Sequence, residues 1–423
     1  EEQENSYKSE STPKYHARET ALEVAKLYGA SVVLGSATPS LEAYYRAGRG
    51  EYRLFQLTKR LTGGELPTVY TVDLRQELQE GNRSIFSRKL QELMTDRLNK
   101  GQQTILFLNR RGYAGFVSCR SCGEVMKCPH CDVSLSEHKG GRLICHYCGY
   151  TQPMPKLCPK CGSKYILGFK AGTQQIEEKL KELYPGVRTL RMDADTTRTK
   201  DSYEKILSSF ANGEADVLIG TQMIVKGHDF PKVTLVGILA ADLSLNASDY
   251  RAGERTFQLL TQAVGRAGRG VLPGEAVIQT YQPDHYAITC AAAQDYESFY
   301  QEEILYRELS GYPPVAHMLA VQIYGKEEEN VKQLALRLTD VVKSNMDFLS
   351  GKQKEQSNKK IQVLGPAPAN ISKINDIYRY VFYVKHAEYD VLVEVKDRLE
   401  ETLRQWQPRQ MSIQFDFDPV SVL

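Results

Sequence analysis

Four Cys-x-x-Cys pairs crowd into one short stretch: Cys119/Cys122, Cys128/Cys131, Cys145/Cys148 and Cys158/Cys161. Zinc takes a tetrahedron of soft donors, and two thiolates three positions apart on a tight turn supply half of one. Four pairs complete two four-thiolate sites, so two Zn2+ ions are expected. The residues beside the thiols agree. Cys122-Gly123, Cys128-Pro129, Cys148-Gly149, Cys158-Pro159 and Cys161-Gly162 all suit tight turns. A disulfide framework is the competing reading, and the spacing disfavours it. No signal-peptide pattern is visible, so a reducing, cytoplasmic setting is expected. His130 and His146 sit inside pairs that already have their thiolates, and are expected beside the metal or exposed rather than on it. Cys290 lies in an Ala-rich helical stretch and reads as a small hydrophobe.

A second chemistry surrounds the cysteines. Gln262-Ala263-Val264-Gly265-Arg266-Ala267-Gly268-Arg269 puts two guanidinium groups three positions apart on one face, near the end of an expected helix Tyr250–Gly268. Planar, delocalised cations suit a phosphoryl group in transfer, whose charge spreads over its equatorial oxygens. Gly220-Thr221-Gln222-Met223 and Lys226-Gly227-His228-Asp229-Phe230-Pro231 follow an apolar strand, where open α/β sheets bind ligands. Thr221 can offer a hydroxyl to phosphate, and Asp229 can accept from a ribose hydroxyl. Ser36-Ala37-Thr38 also follows a short apolar run and can link a nucleotide pocket to a neighbouring domain.

The elements that must position these groups read as an α/β protein. Residues 1 to 60 hold a helix (Thr20–Tyr28), a short buried strand (Ser31–Leu34) and a second helix after Pro39. Strands are expected at Thr68–Val72, Thr104–Leu108, Val187–Met192, Asp216–Ile219, Val233–Leu239 and Glu275–Gln279, alternating with helices. That alternation implies a parallel sheet covered on both faces. The runs at Val217-Leu218-Ile219 and Leu235–Leu239 are apolar throughout, as burial on both faces requires. The cysteine block interrupts this pattern. Beyond about residue 310, strands at Met318–Tyr324, Tyr378–Val384 and Met411–Phe417 flank helices Asn330–Phe348 and Tyr389–Trp406, a compact α+β domain. The expected division is 1–60, then 61–114 with 167–310, an insertion 115–166, and 311–423.

Composition excludes little. The chain is 41% hydrophobic and 25% charged, ordinary for a globular protein. No apolar run spans a membrane. The formal charge is +2, but eight thiolates bring −8 and two Zn2+ bring +4, leaving −2. Whole-chain charge therefore says nothing about a nucleic-acid partner, and local basic surface must carry that argument.

Ser36-Ala37-Thr38, Thr221–Pro231 and Gln262–Arg269, in that order, resemble motifs III, V and VI of superfamily 2 helicases. Glu1-Glu2-Gln3 resembles the tail of a D-E-x-H/Q box without its leading aspartate. The resemblance narrows to the replication-restart helicases of the primosomal protein N′ (PriA) family. Ser6-Tyr7-Lys8, Tyr15-His16-Ala17-Arg18, Gly35–Ser40, Phe107–Tyr113, Tyr312-Pro313-Pro314 and Lys373–Tyr380 carry it.

This resemblance implies a RecA-like second lobe with a two-zinc insertion, a remnant of the first lobe, and a C-terminal α+β domain of the ribosomal S10 type. It implies nested metal ligation: Cys119, Cys122, Cys158 and Cys161 on one zinc, Cys128, Cys131, Cys145 and Cys148 on the other. Glu1 would orient the attacking water, and Arg266 and Arg269 would stabilise the transferred phosphoryl group. Gln262, Gly227 and Asp229 would contact ATP, which binds with Mg2+. Tyr7, Tyr15 and His16 would form an aromatic loop that senses single-stranded DNA by stacking. Arg110, Thr221 and Lys226 would touch its backbone. Implied partners are branched and single-stranded DNA, single-strand-binding protein, and primosome and helicase-loader proteins, for a cytoplasmic monomer. Tyr378, Arg379, Tyr380 and Tyr383 fall on one expected strand, with Arg379 and Tyr383 on one face, as DNA contacts or as rim and core.

The chain departs from the family by lacking any G-x-x-x-x-G-K-S/T loop. Without it nothing cradles the β- and γ-phosphates, so this stretch alone is expected not to hydrolyse ATP and reads as the C-terminal part of a longer protein. Two other readings remain: an RNA-directed motor of the same superfamily, and a non-enzymatic, zinc-dependent DNA- or partner-binding module.

Overall fold

The computed structural model describes residues 1–57, 66–108, 117–130, 133–138, 141–145, 148–167, 172–193, 196–197, 200–225, 230–247, 249–344 and 360–420. The first segment carries α1 (Ala17–Tyr28) and α2 (Leu41–Gly48). Ser40 starts α2 by accepting from Ala43 N–H at its hydroxyl. The expected buried strand at Ser31–Leu34 is not formed, and Val33 is 93% exposed. An apolar run becomes a buried strand only when neighbouring strands take its backbone groups, and none flanks this run among the described residues.

Next come β1 (Thr68–Asp73), α3 (Leu74–Gln79), α4 (Arg88–Asn99) and β2 (Gln103–Phe107). The cysteine-rich region contributes β3 (Ser118–Cys119), β4 (Ser136–His138), β5 (Arg142–Ile144), β6 (Thr151–Pro153) and β7 (Ile166–Leu167). The α/β pattern then resumes with α5 (Thr173–Leu183), β8 (Thr189–Met192), α6 (Lys200–Ala211), β9 (Val217–Gly220), β10 (Val233–Ile238), α7 (Asp242–Leu245), α8 (Ala252–Val264), β11 (Glu275–Thr280), α9 (Tyr286–Ala293) and α10 (Tyr296–Ser310).

These strands form one parallel six-stranded sheet in the order β1-β11-β10-β2-β9-β8. Every residue of β2, β9 and β10 is buried, because helices cover both faces. One face packs Phe107, Phe210, Ile238 and Phe257. The other packs Leu90, Leu106, Ile176 and Val277.

The last unit is β12 (His317–Gly325), α11 (Glu328–Ser344), β13 (Gln362–Ile374), β14 (Ile377–His386), α12 (Tyr389–Trp406) and β15 (Met411–Phe417). Its antiparallel sheet runs β13-β14-β12-β15. The strand β13 had no counterpart in the sequence reading. Gly365, Pro366 and Pro368 argue against an interior strand, but β13 lies at the sheet edge, where proline is tolerated. On one face, α11 and α12 pack over Val321, Ile323, Phe382 and Val384. Among the described residues, the opposite face carries no helix of its own. There Met318, Ala320, Val381 and Tyr383 share a single core with Val117, Leu135, Leu143 and four cysteines of the inserted region, together with Tyr250 and Tyr312. The insertion is thus wedged between the parallel sheet's helices and the C-terminal sheet.

Candidate metal centre and nucleotide-facing site

Two loops facing each other build the first metal site. Gly123 N–H donates to Cys119 O (2.8 Å), and Gly162 N–H donates to Cys158 O (2.9 Å), closing two turns of one form. Both glycines take positive φ, 77° and 70°, which L side chains resist. The turns aim Cys119, Cys122, Cys158 and Cys161 inward, with all four sulfurs within 4.8 Å of one another. Cys119 Sγ lies 3.6 Å from Cys161 Sγ, and Cys122 Sγ 3.6 Å from Cys158 Sγ. A disulfide would need about 2.05 Å. A tetrahedron with zinc–sulfur bonds of about 2.3 Å sets its sulfurs about 3.8 Å apart. The donor set therefore fits zinc and not a covalent bridge.

The second site repeats the design. Gly149 N–H donates to Cys145 O (2.9 Å), with Gly149 at φ 78°. Cys128, Cys145 and Cys148 bring their sulfurs within 4.8 Å, and Cys128 Sγ is 3.5 Å from Cys148 Sγ. Cys131, the fourth expected ligand, lies outside the described residues, as does His146. His130 turns its exposed ring edge-on to Tyr150, 5.6 Å between centroids, and joins neither sulfur group.

Both sites are moored. Gly123 abuts the carbonyl of Tyr281 at the end of β11, where a Cβ would come within 2.5 Å. Arg120 stacks over the Tyr281 ring at 4.9 Å, and Arg75 reaches Cys122 O at 3.4 Å. Gly149 faces Pro366 and Ala367 of β13.

At the chain's other chemical centre, the acidic box meets the Ser-Ala-Thr turn. Ser36 Oγ donates to Glu1 Oε2 (3.1 Å), and Gln3 Nε2 bridges Glu1 Oε2 (2.5 Å) and Thr38 Oγ1 (3.4 Å). Glu2, which the sequence reading gave no role, is the buried anchor. Its carboxylate accepts from Ser40 N–H (2.5 Å), Ser40 Oγ (3.0 Å) and Arg18 (2.7 Å). The next residues dock on α8: Leu41 N–H donates to Glu254 (3.1 Å), and Glu42 pairs with Arg251 (2.7 Å).

The arginines are not on a helical face, contrary to expectation. Helix α8 stops at Val264, and Arg266 and Arg269 lie in the turn that follows. Gly265 and Gly268 weaken the helix, and Gly268 at φ 67° turns its N–H onto Val233 O (3.0 Å). Arg269 folds back, its Nε donating to Gly265 O (2.8 Å), with the guanidinium exposed. Arg266 and Gln262 are half-buried. Thr221 sits half-buried at the carboxyl end of β9, its N–H on Met192 O (3.3 Å). Arg110, Lys226, Gly227 and Asp229 lie outside the described residues.

The aromatic segment forms a small hairpin-like loop. Lys8 and His16 pair as an antiparallel bridge, and Ser9 N–H donates to Tyr15 O (2.9 Å). Tyr7 and Tyr15 project outward, 46% and 53% exposed. His16 caps α1, its Nδ1 accepting from Arg18 N–H (3.2 Å). Burial, helped by the Arg18 charge, pushes its imidazole down to about 4, so the ring is neutral near pH 7. Tyr383 is buried against the insertion, whereas Arg379 stays half-buried at the rim.

Three family models match. The primosomal protein N C-terminal domain covers residues 308–420, the PriA DNA helicase Cys-rich region covers 128–153, and the helicase conserved C-terminal domain covers 157–271. Replication restart protein PriA of Bacillus subtilis is 44% identical across the whole chain. The chain belongs to the PriA family. PriA proteins of Synechocystis and Chlamydia pneumoniae are each 41% identical over all of it. The chain spans about half the length of these PriA relatives, 51%, 50% and 55%, and corresponds to the C-terminal portion of PriA. Cys128, Cys145 and Cys148 fall inside the matched Cys-rich region, and Cys119, Cys122, Cys158 and Cys161 flank it on either side. No helix among the described residues is long and apolar enough to cross a membrane.

Proposed function

We propose that this chain supplies one face of the nucleotide site and much of the DNA-facing surface of an ATP-driven 3′-to-5′ DNA helicase. The enzyme acts on branched replication forks and promotes primosome assembly and restart. The observation that carries this reading is the continuous path from Glu1 through Ser36 and Ser40 to α8, the helix that leads into Arg266 and Arg269. A carboxylate for the attacking water and two guanidinium groups for the phosphoryl oxygens are thereby joined mechanically. Catalysis of phosphoryl transfer rests chiefly on such positioning and charge stabilisation.

In this reading Glu1 orients water, and Arg266 and Arg269 stabilise the phosphoryl group in transfer. Gln262, Gly227 and Asp229 hold ATP, which enters with Mg2+. Tyr7, Tyr15 and the neutral ring of His16 stack on unpaired bases, and Arg110, Thr221 and Lys226 hold the strand's phosphates. Eight thiolates hold two Zn2+ and fix the insertion's fold, for which its few apolar residues are too small a core. The working division is 1–60, 61–114 with 167–310, 115–166 and 311–423. The protein acts as a cytoplasmic, nucleoid-associated monomer with single-strand-binding protein and the primosome and helicase-loader proteins as partners.

The test is Arg269→Ala in the full-length protein. DNA-stimulated ATP hydrolysis should fall about a thousandfold, as loss of a phosphoryl-facing arginine does. Fork binding, measured by fluorescence anisotropy, should stay within about twofold. Normal turnover would remove the arginine from the reaction.

A further inference from the structure

The helix-free face of the C-terminal sheet bears a polar patch that the function above does not use. Antiparallel register sets Asp416 opposite Ala320, Gln414 opposite Gln322, and Arg379 opposite Tyr324, so these side chains share that face. Two lysines reach it from the aromatic loop, about 400 positions away in sequence. Lys8 Nζ lies 2.7 Å from Asp416 Oδ1 and donates to Phe417 O (2.9 Å). Lys14 Nζ lies 4.0 Å from Asp416 Oδ2 and donates to Gln322 Oε1 (3.3 Å). All three charged side chains are at most 8% exposed. The loop thus points its lysines into the sheet and its tyrosines, Tyr7 and Tyr15, out to solvent.

A buried carboxylate between two buried ammonium groups is a rigid fixture, since each ion left alone would carry a large desolvation penalty. Lys14 feels that penalty: burial lowers its pKa, with Asp416 opposing and Lys8 and Arg379 adding to the fall. The loop's other end is equally fixed. His16 caps α1, and Arg18 binds Glu2, the neighbour of Glu1. A strand that moves Tyr7 or Tyr15 therefore works against Asp416 on one side and the acidic box on the other.

We propose that Asp416 is a positioning residue: through Lys8 and Lys14 the C-terminal sheet holds the aromatic loop in the posture from which DNA contact is relayed to the acidic box. This rests on the function proposed above, with the C-terminal domain added as part of the coupling between DNA and ATP hydrolysis.

The experiment uses the full-length protein with Asp416→Asn, Lys8→Met and the double variant, and two readouts. The first is tryptic cleavage after Lys8 and Lys14, which the parent should resist and Asp416→Asn should admit. The second is the concentration of single-stranded oligonucleotide that half-saturates ATPase, set against the Kd for a fork. The half-saturating concentration should rise at least about fivefold, a typical coupling between sites, while fork Kd stays within about twofold. The double variant should lose little more than Asp416→Asn alone, since that change already takes the carboxylate away from Lys8 as well as from Lys14. Equal tryptic resistance in parent and variant overturns the anchor. Freed lysines with an unchanged half-saturating concentration overturn the coupling. A parent ATPase that ignores DNA would instead overturn the function reading, and the tryptic readout still decides the anchor.

Discussion

Glu42 and Arg251 meet 2.7 Å apart in a seam that joins the acidic box to α8, the helix leading into the turn that carries Arg266 and Arg269. They belong to a longer series of buried ions. Glu254 binds Leu41 N–H and Arg307, and Arg307 also binds Glu303 (2.7 Å) and the Pro313 carbonyl (2.7 Å). The series runs from α2 through α8 and α10 to the start of the C-terminal domain. Burial alone would raise the pKa of Glu42, yet Arg251 holds it well below the usual carboxylate range. Glu254 moves the other way, raised by burial and by the charge on Glu42.

Arg251→Met should therefore destabilise the protein strongly, because it leaves the largely covered Glu42 carboxylate beside Glu254 without its closest cation. Removing one partner of a buried pair costs about 3–5 kcal/mol. Replacing both, with Glu42→Leu and Arg251→Met, should recover most of that loss. Urea melts of the three proteins at neutral pH measure it. A single variant within about 0.5 kcal/mol of the parent would show that water reaches the seam.

Two histidines share a design with a defined pH signature. His16 and His285 each cap a helix by accepting a backbone N–H at Nδ1, both at 3.2 Å. Burial first, then a nearby cation (Arg18 for His16, Lys127 for His285), pushes both down to about 4. The unfolded chain takes up these protons near 6.5, the folded chain only near 4. Their contribution is therefore whole above pH 6.5 and declines as pH falls toward 4. His317 opposes the trend: against the downward push of burial, its hydrogen bond to Asp418 raises its pKa. His285→Asn keeps a cap acceptor that does not titrate. Between about pH 7.5 and 5 the parent should lose more stability than this variant, a comparison in which zinc release and His317 cancel. Parallel losses would mean that His285 takes up its proton while folded.

Zinc content and chelation test the insertion. Metal analysis of the purified protein should give two equivalents; one would refute the eight-thiolate assignment. Because Met318, Ala320, Val381 and Tyr383 share a core with the cysteine-rich region, chelation should loosen more than that region. Hydrogen exchange should accelerate in β12 and β14 after metal removal, while β9 and β10, whose residues pack in other cores, keep their protection.

The cysteine sites and the parallel sheet were legible in the sequence because both are written locally. A Cys-x-x-Cys pair followed by glycine specifies its own turn, and Val217–Gly220 or Val233–Ile238 state their burial in their own composition. The failures are of another kind. Ser31–Leu34 has a strand's composition but lacks strand neighbours in the described structure. The apolar periodicity of α8 continues past the glycines that end it, so sequence pattern alone carries the helix beyond Val264. The prolines of β13 hid an edge strand. Glu2 and Asp416 left no signal, since an isolated carboxylate has no pattern until the fold brings Arg18 or Lys8 to it.

Gly268 decides where the arginines stand. Its φ of 67° and its N–H on Val233 O bend the chain directly after Ala267. A Cβ at Gly268 would come 2.4 Å from Gly274 N and 2.7 Å from Gly274 Cα, both backbone atoms that cannot swing aside. Gly268→Ala therefore faces a disfavoured φ and a steric clash together, and the turn must shift to relieve them. Val264 and Ala267 beside the turn belong to the core with β10 and β11, so part of the cost falls on stability. DNA-stimulated ATPase should fall about a hundredfold through displacement of Arg266 and Arg269, with a modest stability loss of about 1–3 kcal/mol. Steady-state kinetics set beside a thermal melt separate the two effects. A variant that melts near the parent but turns over at its rate would mean that the arginines tolerate displacement, and would take the positioning argument with it.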